Sequence, residues 1–123
     1  QDDATRVDAC RRLEERAQAI GAARQVTVGW QFLQEQRAVP CSAHLSGLLE
    51  RAITMEGYPV LALPSGAGHD AAIMADLTPV AMLFVRCKGG ISHNPAESVT
   101  AADVAAAVAV LERFLVLLAE ETR

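Results

Sequence analysis

The chain has 123 residues, with 11 Lys and Arg against 15 Asp and Glu, a formal net charge of −4. Its 51% apolar and 21% charged content suits a globular chain and excludes a disordered one. The acidic balance sets aside nucleic acid and anionic membrane surfaces as main partners. The longest apolar run, Val104 to Ala119, is interrupted by Glu112 and Arg113, so no segment reaches the roughly 18–20 residues of a membrane span. No basic stretch precedes an apolar one, so no signal peptide is expected. Cys10, Cys41 and Cys87 are odd in number and widely spaced. That suits neither a disulfide framework nor a CxxC zinc motif and points to a reducing compartment, the cytoplasm. The chain opens on Gln1 with helical patterning already under way, and reads as a piece of something longer.

Ala4, Val7, Cys10, Leu13, Ala17 and Ile20 recur at spacings of three and four, which predicts an amphipathic helix. Asp3 is its expected N-cap, Gly21 its expected stop, and Arg11 to Arg16 its solvated face. Val26, Val28, Trp30 and Phe32 then alternate with Thr27, Gly29 and Gln31, predicting a half-buried strand to Leu33. Val39-Pro40 breaks any continuation and sets an organisational boundary.

Ser42 caps a second predicted helix with the stripe Leu45, Leu48, Leu49, Ala52 and Ile53, ended by Gly57. Tyr58–Leu63 and Val80–Val85 are short apolar runs of buried-strand length. Between them, Pro64 to Gly68 form a turn-rich loop that opens a short helix, His69 to about Asp76. Lys88 to Glu97 is a second loop. Thr100 and Asp103 match a capping signature for a last helix, to about Glu120. That helix is apolar nearly all round and is expected to pack on more than one side. After Pro40, helices alternate with short apolar runs, which predicts an α/β layer with a largely parallel sheet.

Both loops follow a predicted strand, where open α/β sheets place their ligands. In Ser65-Gly66-Ala67-Gly68-His69-Asp70 the glycines let backbone approach a ligand. A phosphate cradle there would need the Lys-Ser/Thr of a P-loop or GxGxxG spacing, and both are missing. In Gly89-Gly90-Ile91-Ser92-His93-Asn94-Pro95 the loop can aim an imidazole into a cleft, and a neutral imidazole is a common zinc ligand. A single histidine in a loop is also commonly just hydrogen-bonded, and that alternative stays open. His44 has no partner at ligand spacing and reads as an ordinary helix residue. Cys41 or Cys87 could pair with His69 or His93 as a thiol nucleophile, but inert buried thiols are the simpler expectation for all three cysteines.

The SGAGHDA and GISHNPAE motifs, about twenty residues apart and followed by a capped apolar helix, carry a resemblance. The segment from Leu63 to Leu111 resembles the C-terminal part of zinc-dependent amidohydrolases of the N-carbamoyl-L-amino-acid hydrolase, allantoate amidohydrolase and β-ureidopropionase type. These belong to the aminoacylase–carboxypeptidase superfamily of metallohydrolases. The likeness extends more loosely over residues 1–63. It implies an α/β fold: residues 40–123 as the C-terminal part of a three-layer catalytic domain, preceded by residues 1–39 as the last helix and strand of a ferredoxin-like lid and dimerisation domain.

By the same resemblance, His93 matches the last metal ligand of a site holding two zinc ions, with manganese or cobalt as alternatives. His69 matches a histidine beside the substrate that binds it or its tetrahedral intermediate, and Gly68 offers backbone to the substrate. Ser65, Gly66 and Asp70 match motif positions and are assigned to shaping the loop. The other metal ligands, the general-base Glu and a substrate-binding Arg would lie upstream of Gln1, so no catalytic residue is assigned here. Arg86-Cys87-Lys88 departs from the small, uncharged stretch usual in the family. The implied reaction is hydrolysis of a carbamoyl or ureido C–N bond in a homodimer, with this chain alone inactive. The alternatives are an aminoacylase or dipeptidase of the same superfamily, or a non-catalytic interaction domain.

Overall fold

The computed structural model describes residues 2–121. Its helices are α1 (Asp3–Ala23), α2 (Ala43–Met55), α3 (Asp70–Met74) and α4 (Ala101–Glu121), with one tight turn of 3₁₀-helix at Lys88–Gly90. The chain divides into two compact units, Gln1–Pro40 and Cys41–Arg123. Among the described residues no helix is long and apolar enough to cross a membrane.

The predicted strands need correcting. Val26–Leu33, Tyr58–Leu63 and Val80–Val85 form no β-ladder among the described residues. A strand exists only against a neighbour that takes its N–H and C=O groups, and here none of the three segments pairs with another. The first two also leave most of their side chains uncovered, with Leu33 87% and Leu61 76% exposed, whereas Val80 to Leu83 are half-buried.

In the first unit, Asp2 rather than Asp3 caps α1, accepting from the Thr5 N–H at 2.8 Å. Asp3 is thereby free for the returning chain. Its Oδ1 accepts from the Ala38 N–H at 2.8 Å and from Arg6 Nε at 2.9 Å, while Arg6 Nη2 reaches Glu35 at 3.0 Å. At the other end Gln18 donates to the Val28 carbonyl at 3.3 Å. Residues 26–38 therefore run back along α1 in the opposite direction.

Gly21 does not stop the helix, which continues to Ala23. It is buried because the returning chain crosses there. A Cβ on Gly21 would meet Val28 Cγ2 at 2.5 Å and the Val26 carbonyl oxygen at 2.8 Å. The covered stripe is Asp3, Arg6, Cys10, Glu14, Ala17 and Gly21. A single extended segment covers only this narrow band, so Val7, Leu13 and Ile20 of the predicted face stay exposed.

In the second unit α2 and α4 pack as an antiparallel pair. His44 and Arg51 meet Glu121, whereas Glu56 meets Arg113 at 2.9 Å, so early α2 faces late α4. Leu48, Ala52, Val110 and Leu117 form the core between them, with Leu45, Ile53, Leu83, Phe114 and Leu118 packed around it. Ala52 is fully buried, and its small side chain lets the helices approach closely. Ser42 caps α2 through the Leu45 N–H, and its own N–H donates to the Val80 carbonyl at 2.8 Å. That bond ties the 80–85 segment to the start of α2. The opposite side of α4, with Val104, Val108, Leu111 and Leu115, is exposed, so α4 packs on one side only.

The α4 start is held by a linked set of polar contacts. Thr100 Oγ1 accepts from the Asp103 N–H at 3.1 Å and donates to Asp103 Oδ2 at 2.6 Å. Arg86 then clamps Asp103 Oδ1 at 2.8 and 2.6 Å. The Thr100 hydroxyl first, and the Arg86 guanidinium second, hold the Asp103 carboxyl below its ordinary range.

Two helix ends use the same device with different residues. At the end of α2, Gly57 (φ +81°) donates to the Thr54 carbonyl and Tyr58 to that of Ile53. At the end of α1, Gln25 (φ +56°) donates to the Ala22 carbonyl and Val26 to that of Gly21. The left-handed position suits glycine and strains a residue with a Cβ. Gly57→Ala is expected to cost about 1 kcal/mol, and Gln25→Gly to gain up to about 1 kcal/mol, in urea unfolding of the chain.

Asp103 predicts an acid limb. An unfolded chain takes up the Asp103 proton first, so this contribution is complete above about pH 4 and is lost as pH falls through the lowered folded value. Asp103→Asn should flatten that limb when helicity is followed by circular dichroism from pH 6 to pH 2.

Candidate functional site

The first loop builds around Ser65. Its hydroxyl oxygen accepts from the Ala67 N–H at 3.2 Å, a local turn that Ser favours. The same oxygen lies 2.7 Å from His69 Nε2. His69 stands just before α3 in extended geometry (φ −133°, ψ 148°), and its carbonyl accepts from the Ala72 N–H at 2.9 Å. Its ring packs T-shaped with that of Phe84, 5.7 Å between centroids and 67° between planes. Nδ1 has no hydrogen-bond partner among the described residues. Gly68 is exposed, immediately before the histidine. The phosphate alternative gains nothing, since α3 has only five residues and no side-chain cap.

The second loop is shaped by backbone. Gly89 and Gly90 take φ of +66° and +69°, which glycine alone adopts without strain. The Lys88 N–H donates to the Ser98 carbonyl at 2.8 Å and closes the loop. Asn94 makes its own turn, with Oδ1 accepting from Ala96 N–H at 2.9 Å and its carbonyl accepting from Glu97 N–H at 2.8 Å. His93 is itself left-handed at φ +57°. Its ring Nδ1 pairs with Ser92 Oγ at 2.8 Å, and Nε2 has no partner among the described residues.

Glu97 is the residue that sequence reasoning missed. Oε2 accepts from the His93 N–H at 2.7 Å, and Oε1 lies 3.6 Å from Cys87 Sγ. One carboxylate thus pins the left-handed His93 backbone and joins both ends of the loop. The available signal was Asn-Pro-x-Glu, a turn that brings a carboxylate back four residues. The departure at Arg86-Cys87-Lys88 is absorbed locally: Arg86 goes to Asp103, Cys87 to Glu97 and the Lys88 backbone to Ser98.

The thiol-nucleophile alternative finds no Cys–His pair among the described residues. Burial first, then the Glu97 hydrogen bond and the Glu97 and Asp103 charges, push the Cys87 thiol up, so it stays protonated at neutral pH. Cys41 is exposed rather than buried. His44 is also exposed and lies 3.1 Å from Glu121.

His69 and His93 do not touch each other, and no three His, Cys, Asp or Glu side chains among the described residues could together hold a metal. The His93 donor set nonetheless fits one corner of a metal site. Fixing one ring nitrogen on a polar neighbour and leaving the other open is how ligating histidines are oriented. A zinc site needs three or four such donors, of which this is one.

Comparison with known proteins follows the same residues. The sequence profile of Peptidase family M20/M25/M40 matches residues 5–117. An N-carbamoyl-L-amino acid amidohydrolase of Geobacillus stearothermophilus is 43% identical over 96 residues, 78% of this chain and 24% of that protein. An allantoate deiminase of Arabidopsis thaliana is 67% identical over 53 residues, 43% of this chain and 10% of that one. The allantoate amidohydrolase of Escherichia coli (strain K12) is 33% identical over 118 residues, 96% of this chain and 29% of that protein. The chain thus spans less than a third of the length of each of these relatives.

The Glu97 contact predicts thiol reactivity. Glu97→Gln removes the charge that raises Cys87, so alkylation of Cys87 by iodoacetamide at pH 8 should quicken severalfold. Exposed Cys41 is the internal control, and peptide mass spectrometry reads both rates.

Proposed function

The chain belongs to Peptidase family M20/M25/M40, and from that premise we propose that it is part of a longer metal-dependent amidohydrolase that cleaves the C–N bond of N-carbamoyl-L-amino acids or allantoate-like ureido compounds. The observation that carries this reading is the similarity to relatives named for those activities, which spans both histidine loops in the relative covering 96% of this chain. His93 is the chain's metal ligand through Nε2, with Ser92 holding the ring from Nδ1. His69 and the Gly68 backbone contact the substrate. Zinc, with manganese or cobalt as alternatives, would supply a polarised carbonyl and a bound water acidic enough to attack it.

The chain's own residues then bind and orient. Glu97 keeps the His93 backbone in its left-handed turn, so the imidazole cannot swing away by relaxing to ordinary φ. Phe84 braces His69 from the side. The remaining metal ligands and the general base would come from the rest of the longer protein, so this chain alone is inactive. Residues 40–123 are read as the C-terminal part of a three-layer catalytic domain. Residues 1–39 are read as the end of a ferredoxin-like lid that pairs two copies. The uncovered Trp30, Phe32 and Leu33 support a sheet neighbour there. The cytoplasm suits the three free cysteines.

The family's description as a peptidase favours one second reading, an N-acyl amino acid or dipeptide as substrate. Assaying the longer protein on both substrate classes side by side separates them. In that protein, His93→Ala should empty one metal equivalent and lower turnover by at least about 100-fold. Unchanged zinc content, read by atomic spectroscopy, removes the assignment. Zinc titration of the present chain should show no tight stoichiometric binding.

A further inference from the structure

Ser65 does more than shape its loop. Its oxygen already accepts from the Ala67 N–H at 3.2 Å. The hydroxyl proton can go to His69 Nε2, 2.7 Å away, which leaves the oxygen to accept from Ala67 alone. A hydroxyl that donates to Nε2 requires that nitrogen to be the bare one. The ring proton of neutral His69 then sits on Nδ1, the nitrogen with no partner among the described residues.

We infer that Ser65 is a positioning residue that holds His69 in the Nδ1–H tautomer, so that His69 presents a neutral hydrogen-bond donor to an acceptor oxygen of the substrate. This deepens the proposed function and rests on it for the identity of that oxygen, a carbonyl or carboxylate of a carbamoyl or ureido compound. The alternative tautomer would turn a lone pair, not a proton, toward such an oxygen and repel it.

The tautomer is read directly by nitrogen-15 shifts of the imidazoles in the chain labelled at histidine, recorded at about pH 9. The wild-type chain should show a protonated Nδ1 and a bare Nε2 for His69. Ser65→Ala should shift both signals toward a mixture, and Ser65→Thr, which keeps the hydroxyl, should restore the wild-type pattern. A wild-type ring protonated at Nε2, or a pattern unchanged in Ser65→Ala, overturns the inference. The wild-type spectrum alone decides this even where Ser65→Ala folds poorly.

The second readout is the longer protein. Ser65→Ala should lower kcat/KM about tenfold, the weight of one hydrogen bond, and Ser65→Thr should recover it. A changed tautomer with unchanged kcat/KM overturns the donation to substrate. No turnover of any ureido compound, with the Nδ1–H tautomer intact, supports the Ser65–His69 pairing and removes the substrate reading instead.

Discussion

The second unit depends on the close contact of α2 with α4. Leu48 and Ala52 on one helix meet Val110 and Leu117 on the other, and these four form the buried cluster. Each large apolar side chain buried this way is worth about 1.5–3 kcal/mol. Both histidine loops hang from that pair. The 80–85 segment is tied to the α2 start by the Ser42–Val80 bond, and Leu83 packs on the cluster. Phe84, next along, braces His69. Four residues later the chain enters the loop that carries His93. Loss of the α2–α4 contact would therefore loosen the 80–85 segment that meets His69 and leads into the His93 loop.

The helices were legible because their signals are local. A cap, a stripe at spacings of three and four and a terminating Gly57 lie within a few turns of each other. Ser42 and the Thr100–Asp103 pair cap as expected. The strands were not legible as ladders, because period-two alternation reports which faces want burial and says nothing of what supplies it. Val26 to Leu33 alternates well and finds a helix on one side only. Gly21 shows a related limit. It reads as a helix stop, and it is a crossing point made by a chain that returns five to seven residues later. Small size serves either purpose, and only the tertiary contact tells them apart.

The site residues divide the same way. His69 and His93 stand out because glycine and Asn-Pro turns surround them. Ser65 reads only as a loop-shaping residue and Glu97 does not stand out, because the contacts they make are hydrogen bonds four residues long that depend on turn geometry. A left-handed histidine is uncommon, and nothing in Ser-His-Asn-Pro announces it. Once His93 takes φ +57°, its N–H turns toward the start of the next turn, and a carboxylate at residue 97 is placed to meet it.

Both imidazoles are oriented by contacts of short range. Ser65, Ala67 and His69 span five residues, and Ser92, His93, Asn94 and Glu97 span six. Neither set calls on a β-ladder for its hydrogen bonds. Side-chain order of this kind costs entropy when it forms, and here local turns bear much of that cost before any distant ligand arrives. Each loop also leaves one ring nitrogen unpartnered, Nδ1 of His69 and Nε2 of His93. Two rings with opposite nitrogens open suit two different tasks: a protonated nitrogen can donate to an oxygen, and a bare one can ligate a cation. Each serine hydroxyl can donate to a bare ring nitrogen or accept from a protonated one, so the tautomer of each ring fixes what its open nitrogen can do.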